Sequence, residues 1–175
     1  MINKWNFQTP TEEELHKRDK LASELELCPV VCLLLVQRGL STVEEVKKFF
    51  KPSLNDLHDP FLMPDMEKAV KRLNKALGNK EKILIYGDYD VDGTTAVSLV
   101  YKYLRPYSSA LDYYIPDRYD EGYGISYKGI DYARENGITL VISLDCGIKA
   151  IEKIEYAKQL GIDFIICDHH MPDNT

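Results

Sequence analysis

Apolar residues recur along this chain in two rhythms, and the change comes near residue 80. Before it, the spacing is helical. Thr11-Glu12-Glu13-Glu14 has the form of a capping box, with acidic groups in a first turn where the helix dipole favours them. It predicts a helix to about Leu25. Pro29 can open a second helix through Val36, closing near Gly39. Ser41-Thr42-Val43-Glu44-Glu45 starts a third, which runs to Phe49-Phe50 and stops at Pro52. After a connector holding Pro52, Pro60 and Pro64, the residues Met66, Ala69, Val70, Leu73 and Leu77 mark one apolar helical face, which Gly78 closes. Past residue 80, short continuous apolar runs alternate with helical stretches. Strands are expected over 83–86, 111–115, 140–144 and 164–167, and helices over 94–104, 126–136 and 148–160. Runs of that kind mean βαβ units and a parallel sheet covered on both faces. The expected class is α/β: a parallel β-sheet with flanking helices (81–175), preceded by a helical segment (1–80) packed on it.

Composition changes this picture little. With 45% hydrophobic and 29% charged residues, the chain reads as a folded globular protein. No apolar run approaches the roughly 20 residues that span a bilayer, and the first residues lack a secretory h-region, so a cytoplasmic protein is expected. Cys28 and Cys32 stand one helical turn apart on an apolar segment and read as buried thiols rather than zinc ligands. His16 and His58 read as solvated surface.

Charge is more informative. Residues 1–80 carry 13 basic and 12 acidic groups, a net of +1, whereas 81–175 carry 9 and 16, a net of −7. The acidic excess gathers in Asp88-Tyr89-Asp90-Val91-Asp92-Gly93 after the first strand, Asp145-Cys146-Gly147 after the third and Asp168-His169-His170 after the fourth. Each group lies just past the carboxyl end of a strand, the rim where parallel sheets bind ligands. Singly, these residues have ordinary explanations: a turn aspartate at Asp145, a helix cap at Asp168, solvated histidines at 169 and 170. Converging, they would repel severely unless cations sat among them. Carboxylates with imidazole and no thiolate suit Mn²⁺ or Mg²⁺, with Zn²⁺ or Fe²⁺ less suited. Two such ions can activate water against a phosphate ester. An EF-hand fails because its twelfth position would be Leu99 and a strand precedes the loop. An aspartyl-phosphatase reading of Asp90-Val91-Asp92-Gly93-Thr94 lacks its later Lys and acidic elements. No Rossmann glycine pattern or Walker lysine is present.

Tyr86-Gly87-Asp88-Tyr89-Asp90-Val91-Asp92-Gly93, Pro116-Asp117-Arg118-Tyr119-Asp120-Glu121-Gly122-Tyr123-Gly124, Ser143-Leu144-Asp145-Cys146-Gly147 and Cys167-Asp168-His169-His170 resemble the first motifs of the DHH phosphoesterases. The second block and the helical leader through Leu57-His58-Asp59-Pro60 resemble the RecJ branch of that family. The resemblance implies a 5′-to-3′ exonuclease on single-stranded DNA, acting in recombination and repair with two Mn²⁺ or Mg²⁺ ions. It implies Asp90, Asp92, Asp145 and His169 as ligands, with Asp145 bridging, and Asp88 as a further ligand or supporting group. It places His170 at the scissile phosphate and Asp168 behind the histidine loop, while Arg118, Tyr123 and Gly124 shape a flexible DNA-contacting loop. Core packing is the ordinary alternative for Tyr123. A helicase and a single-strand-binding protein are the implied partners. The family also needs a later aspartate and further domains, so the α/β part is expected to be incomplete at its C-terminal end and weak or inactive alone. Two other readings stand beside this one: a phosphodiesterase on cyclic dinucleotides or oligoribonucleotides, and a non-catalytic interaction module.

Overall fold

The computed structural model describes residues 9–173, which form two compact units, one through Asp59 and one from Pro60. The first unit is helical: α1 (Glu12–Leu25), α2 (Pro29–Gln37) and α3 (Val43–Phe50), then a 3₁₀ turn at Leu54–Asp56. Thr11 and Thr42 close complete capping boxes with Glu14 and Glu45, as their spacing predicts. Leu21, Cys32, Leu35, Val36 and Val46 form the small core of this unit. Cys28 is the exception to the buried-thiol expectation. It stands at the cap before Pro29 and is exposed.

The second unit contains a 3₁₀ turn at Pro60–Leu62, then α4 (Met66–Gly78), β1 (Ile83–Gly87), α5 (Val91–Leu104), β2 (Leu111–Tyr114), α6 (Tyr127–Glu135), β3 (Leu140–Leu144), α7 (Ile151–Gln159) and β4 (Asp163–Cys167). The division falls at 59/60 rather than at residue 80. The reason is α4, whose Leu73, Ala76 and Leu77 pack with Ile83, Ile85 and Leu140 and so belong to the α/β unit.

All strand pairs are parallel, in the order β2-β1-β3-β4. β1 and β3 are central and buried at every position, while β2 and β4 are partly exposed edges. This is why the central strands are written as unbroken apolar runs. Successive side chains alternate between faces. Ile83, Ile85, Leu140, Ile142 and Leu144 pack with α4 and α5. Leu84, Tyr86 and Val141 pack with Ile130 and Ala133 of α6 and Ala157 of α7. Each fully buried aliphatic side chain contributes about 1.5–3 kcal/mol. Because the chain steps from β1 to β2 and then back across to β3, the strand order reverses between β1 and β3. Their carboxyl ends therefore flank the crevice where such sheets bind ligands. Among the described residues no helix is long and apolar enough to cross a membrane.

Arg72 of α4 ties the opposite rim. Its guanidinium donates to Asp163 at 2.6 Å, to Glu81 at 2.8 Å and to the Thr139 carbonyl at 3.3 Å. Removing this side chain leaves the half-buried Glu81 short of its cation. Arg72→Ala is therefore expected to lower unfolding stability by about 1–3 kcal/mol. An unchanged urea midpoint would show that the ion pairs only decorate the surface.

Candidate metal centre

The turn after β1 is built by glycine. A Cβ at Gly93 would collide with the Asp88 carbonyl and sit 2.7 Å from the Asp88 nitrogen. Only glycine lets the first turn of α5 rest on that backbone. Helix α5 accordingly begins at Val91, three residues earlier than its apolar pattern suggests. Asp90 is its N-cap, with Oδ1 accepting from the Gly93 N–H at 2.8 Å. Asp92 is exposed in the first turn. Asp88 is fully buried. Its Oδ1 accepts a long bond from Gly124 N at 3.4 Å, and its Oδ2 has no hydrogen-bond partner. Burial, then repulsion from Asp90 and Asp145, pushes its carboxyl up against the pull of the Gly124 and Tyr89 amides.

The turn after β3 is equally constrained. Asp145 adopts left-handed backbone, φ 59°, which an aspartate tolerates better than most residues. Its amide donates to the Cys167 carbonyl at 2.8 Å, which prolongs the β3–β4 pairing beyond the strand. Gly147 follows at φ 114°, where a Cβ would press on Ile125.

After β4, Asp168 accepts from Ile148 N at 2.9 Å, from His170 N at 3.0 Å and from the His170 ring, Nδ1 to Oδ1 at 2.6 Å. Burial opposes the charge on Asp168, but the His170 and Ile148 amides and the imidazole outweigh it and hold the carboxyl below its usual value. The same ring contact raises His170. His170 Nε2 lies 3.3 Å from the Tyr123 hydroxyl, which is 3.4 Å from the Asp145 carbonyl. All three contacts are satisfied together when the imidazole is doubly protonated. Nδ1–H then donates to Asp168, Nε2–H to the Tyr123 oxygen, and the Tyr123 O–H to the Asp145 carbonyl. The His169 ring lies beside that of His170, centroids 4.7 Å apart, with its Nε2 3.0 Å from Asp145 Oδ1.

Among the described residues, Asp145, His169 and His170 offer one ligand atom each, all within 4.8 Å of one another. Asp88, Asp90 and Asp92 lie outside that group of three, although Asp88 and Asp90 share its electrostatic neighbourhood. His170, expected only at the phosphate, also lies within this group, where its Nε2 can face an ion only when the ring is neutral and no longer donates to Tyr123. The fit to a hard divalent cation rests on an oxygen–imidazole donor set and on the unpartnered, buried Asp88 Oδ2 beside it.

The loop 117–126 also reaches this rim. Tyr123 is exposed, so core packing does not explain it. Its ring meets Tyr89 and His170 edge-on, and the Arg118 guanidinium lies 5.0 Å over Tyr89. Gly124 adopts φ 81° and turns its amide toward Asp88. The loop is tied down by side-chain hydrogen bonds, in contrast to the flexible segment expected. Tyr89, Tyr86 and Glu121 were not singled out from the sequence. The contacts of Tyr86 and Tyr89 reach across 34 to 40 positions and those of Glu121 across four to seven, and the motif blocks that contain them, Tyr86 to Gly93 and Pro116 to Gly124, were the signal that pointed there.

Residues 82–175 match the family described as the DHH family, N-terminal domain. The chain is 40% identical over 169 residues to the single-stranded-DNA-specific exonuclease RecJ of Bacillus subtilis, covering 97% of this chain and 21% of that protein. It is 34% identical to the Escherichia coli RecJ, over 86% of this chain and 26% of that protein. The chain thus spans about a fifth to a quarter of these relatives. A crystal structure of exonuclease RecJ bound to manganese superposes with a TM-score of 0.59 at 30% identity, over 65% of this chain and 30% of that one. RecJ of Thermus thermophilus in complex with Mn²⁺ gives 0.67 at 24% identity, over 92% and 22%.

The Asp168–His170 pair has a defined pH window. Raised His170 contributes stability that is full below the ordinary imidazole value and is lost as pH rises through its raised folded value. Depressed Asp168 contributes stability present above the ordinary carboxylate value and lost as pH falls through its depressed one. In metal-free protein, NMR titration is expected to place the His170 midpoint above that of a free imidazole, and Asp168→Asn should bring it down. An unmoved midpoint in that variant would remove Asp168 as the cause.

Proposed function

The chain belongs to the DHH family, and from that premise we propose that it carries the metal-binding part of a phosphodiesterase centre that removes nucleotides from the 5′ end of single-stranded DNA. The observation that carries this reading is the convergence of Asp145, His169 and His170 past the carboxyl ends of β3 and β4, on the rim that also holds the unpartnered Asp88 Oδ2 at the end of β1. The names of the relatives support the substrate, and the manganese in their solved structures supports a divalent ion.

Asp88, Asp90, Asp92, Asp145 and His169 are the proposed residues that would hold two Mn²⁺ or Mg²⁺ ions. When bound, such ions supply Lewis acidity at the phosphate and make a water acidic enough to attack it. The remaining work falls to the side chains of the chain. Asp168 orients the His170 ring and favours its charged form, so that Nε2 can hand a proton to the departing oxygen. Arg118 brings a fixed positive charge to the loop beside the rim, where it can meet a substrate phosphate. Tyr123 and Gly124 complete that wall. Residues 81–175 are acidic, so attraction for the rest of the strand must come from basic surface elsewhere in a longer protein. A cytoplasmic setting, with a helicase and a single-strand-binding protein as partners, is proposed as part of the same reading.

Calorimetric titration of the chain with MnCl₂ is expected to show binding that weakens at least about tenfold in Asp145→Ala, since even supporting groups of a metal site cost that much. Equal binding in the variant would sink the assignment. The 175 residues alone are expected to turn over single-stranded DNA weakly or not at all. Joined to the remaining domains of the Bacillus subtilis relative, they are expected to degrade long single strands in preference to dinucleotides. The reverse preference would assign a dinucleotide phosphodiesterase, and repair activity that survives Asp145→Ala would assign an interaction module.

A further inference from the structure

We infer that Glu121 is a positioning residue, whose carboxylate holds Tyr123 against His170 by closing the loop that carries it. Glu121 touches none of the proposed ligands. Its Oε1 accepts from the Asp117 amide at 2.8 Å, which folds the loop back on its own start. Its Oε2 accepts from the Tyr114 hydroxyl at 2.9 Å and from the Ser126 hydroxyl. One side chain therefore joins the end of β2, the first residue of the loop and the N-cap of α6. Lone pairs on both oxygens are used, so the carboxylate is a hub rather than a surface charge.

The frame continues through Tyr86 of β1. Its buried hydroxyl accepts from the Ser126 amide at 3.0 Å and donates to the Gly124 carbonyl at 2.9 Å, and its ring stacks on Tyr114 at 5.4 Å. Lys153 of α7 adds a bond to the Ile125 carbonyl at 2.5 Å. Both flanks of Gly122-Tyr123-Gly124 are thus fixed to rigid elements. Gly122 and Gly124, at φ 79° and 81°, turn the backbone between those anchors. Tyr123 is the residue left projecting, with its hydroxyl on His170 and the Asp145 carbonyl. Its ring also meets those of Tyr89 and His170 edge-on. The ring is more than half exposed, at 53%. These ring contacts depend on where the backbone presents the side chain, and Glu121 ties three points of that frame together: Tyr114, Asp117 and Ser126.

The consequence for chemistry rests on the function proposed above, but the geometry can be tested without any catalysis. In the metal-free chain, Tyr123 and His170 are expected to show cross-relaxation between rings whose centroids lie 6.1 Å apart. Glu121→Ala is expected to abolish that signal and to shift the His170 ring resonances, while the amides of the central strands β1 and β3 stay in place. Glu121→Gln keeps the acceptor for the Asp117 amide and can still bond to two hydroxyls, so it is expected to restore the signal. Tyr114→Phe removes one hydroxyl only and serves should the alanine variant fail to fold. A partial loss of the same signal is expected there. Ring contacts that persist in Glu121→Ala, or that persist undiminished in Tyr114→Phe if the first variant is unfolded, would overturn the proposal. A chain that fails to bind Mn²⁺ would overturn the function and leave this result standing.

Discussion

Crowding of negative charge at one rim of the sheet is the constraint around which this domain is arranged. Asp88 and Asp145 sit at the ends of adjacent central strands, and Asp90 and Asp168 stand close enough to share their field. A parallel sheet makes this unavoidable once three of its four strands, β1, β3 and β4, run into an aspartate, because all its carboxyl ends point the same way. The cost is visible in Asp88, buried, raised in pKa and with one oxygen lacking a partner. A domain selected only for stability would not keep such a group. The surrounding backbone commits glycine at 93 and 147 and left-handed strain at Asp145 to hold the carboxylates where they are.

Relief comes from two kinds of neighbour. An imidazole provides part of it: the His170 ring bonds to Asp168 and favours its charge, while His169 Nε2 lies 3.0 Å from Asp145. The Asp168–His170 pair is better built, since Asp168 is buried and takes three hydrogen bonds, whereas His169 is largely exposed. This difference divides the labour. His169 is free to turn toward a cation, while His170 is locked in a ring orientation that leaves Nε2 facing Tyr123 and the open rim. Divalent cations account for the remainder in the function proposed here, and the donor set is of the oxygen-rich kind they prefer.

The loop after β2 supplies what the acidic turns lack. It brings a guanidinium, the Tyr123 ring and a glycine turn to the edge of a negatively charged crevice, where both side chains meet Tyr89 of the turn after β1. Its anchoring through Tyr86, Tyr114 and Ser126 uses hydroxyls buried on the α6 face of the sheet, so the active rim and the hydrophobic core share residues. That sharing explains why a tyrosine rather than another aliphatic residue occupies the last buried position of β1 before Gly87.

The sequence by itself determined the elements, their α/β order and the rim on which the acidic turns fall. These depend on local periodicity, capping and strand ends, all of which act over a few residues. The four strands were legible to within a residue, and the capping boxes at Thr11 and Thr42 marked their helices directly. The resemblance in the motifs supplied the family. Other features were decided only by the tertiary structure. The assignment of α4 to the α/β unit depends on which apolar face finds a partner. The early start of α5 depends on Gly93 fitting against Asp88. The grouping of His170 with Asp145 and His169, and the anchoring of the Glu121 loop through Tyr86, come from contacts between distant segments, whose energies are set by packing geometry that a linear pattern does not encode.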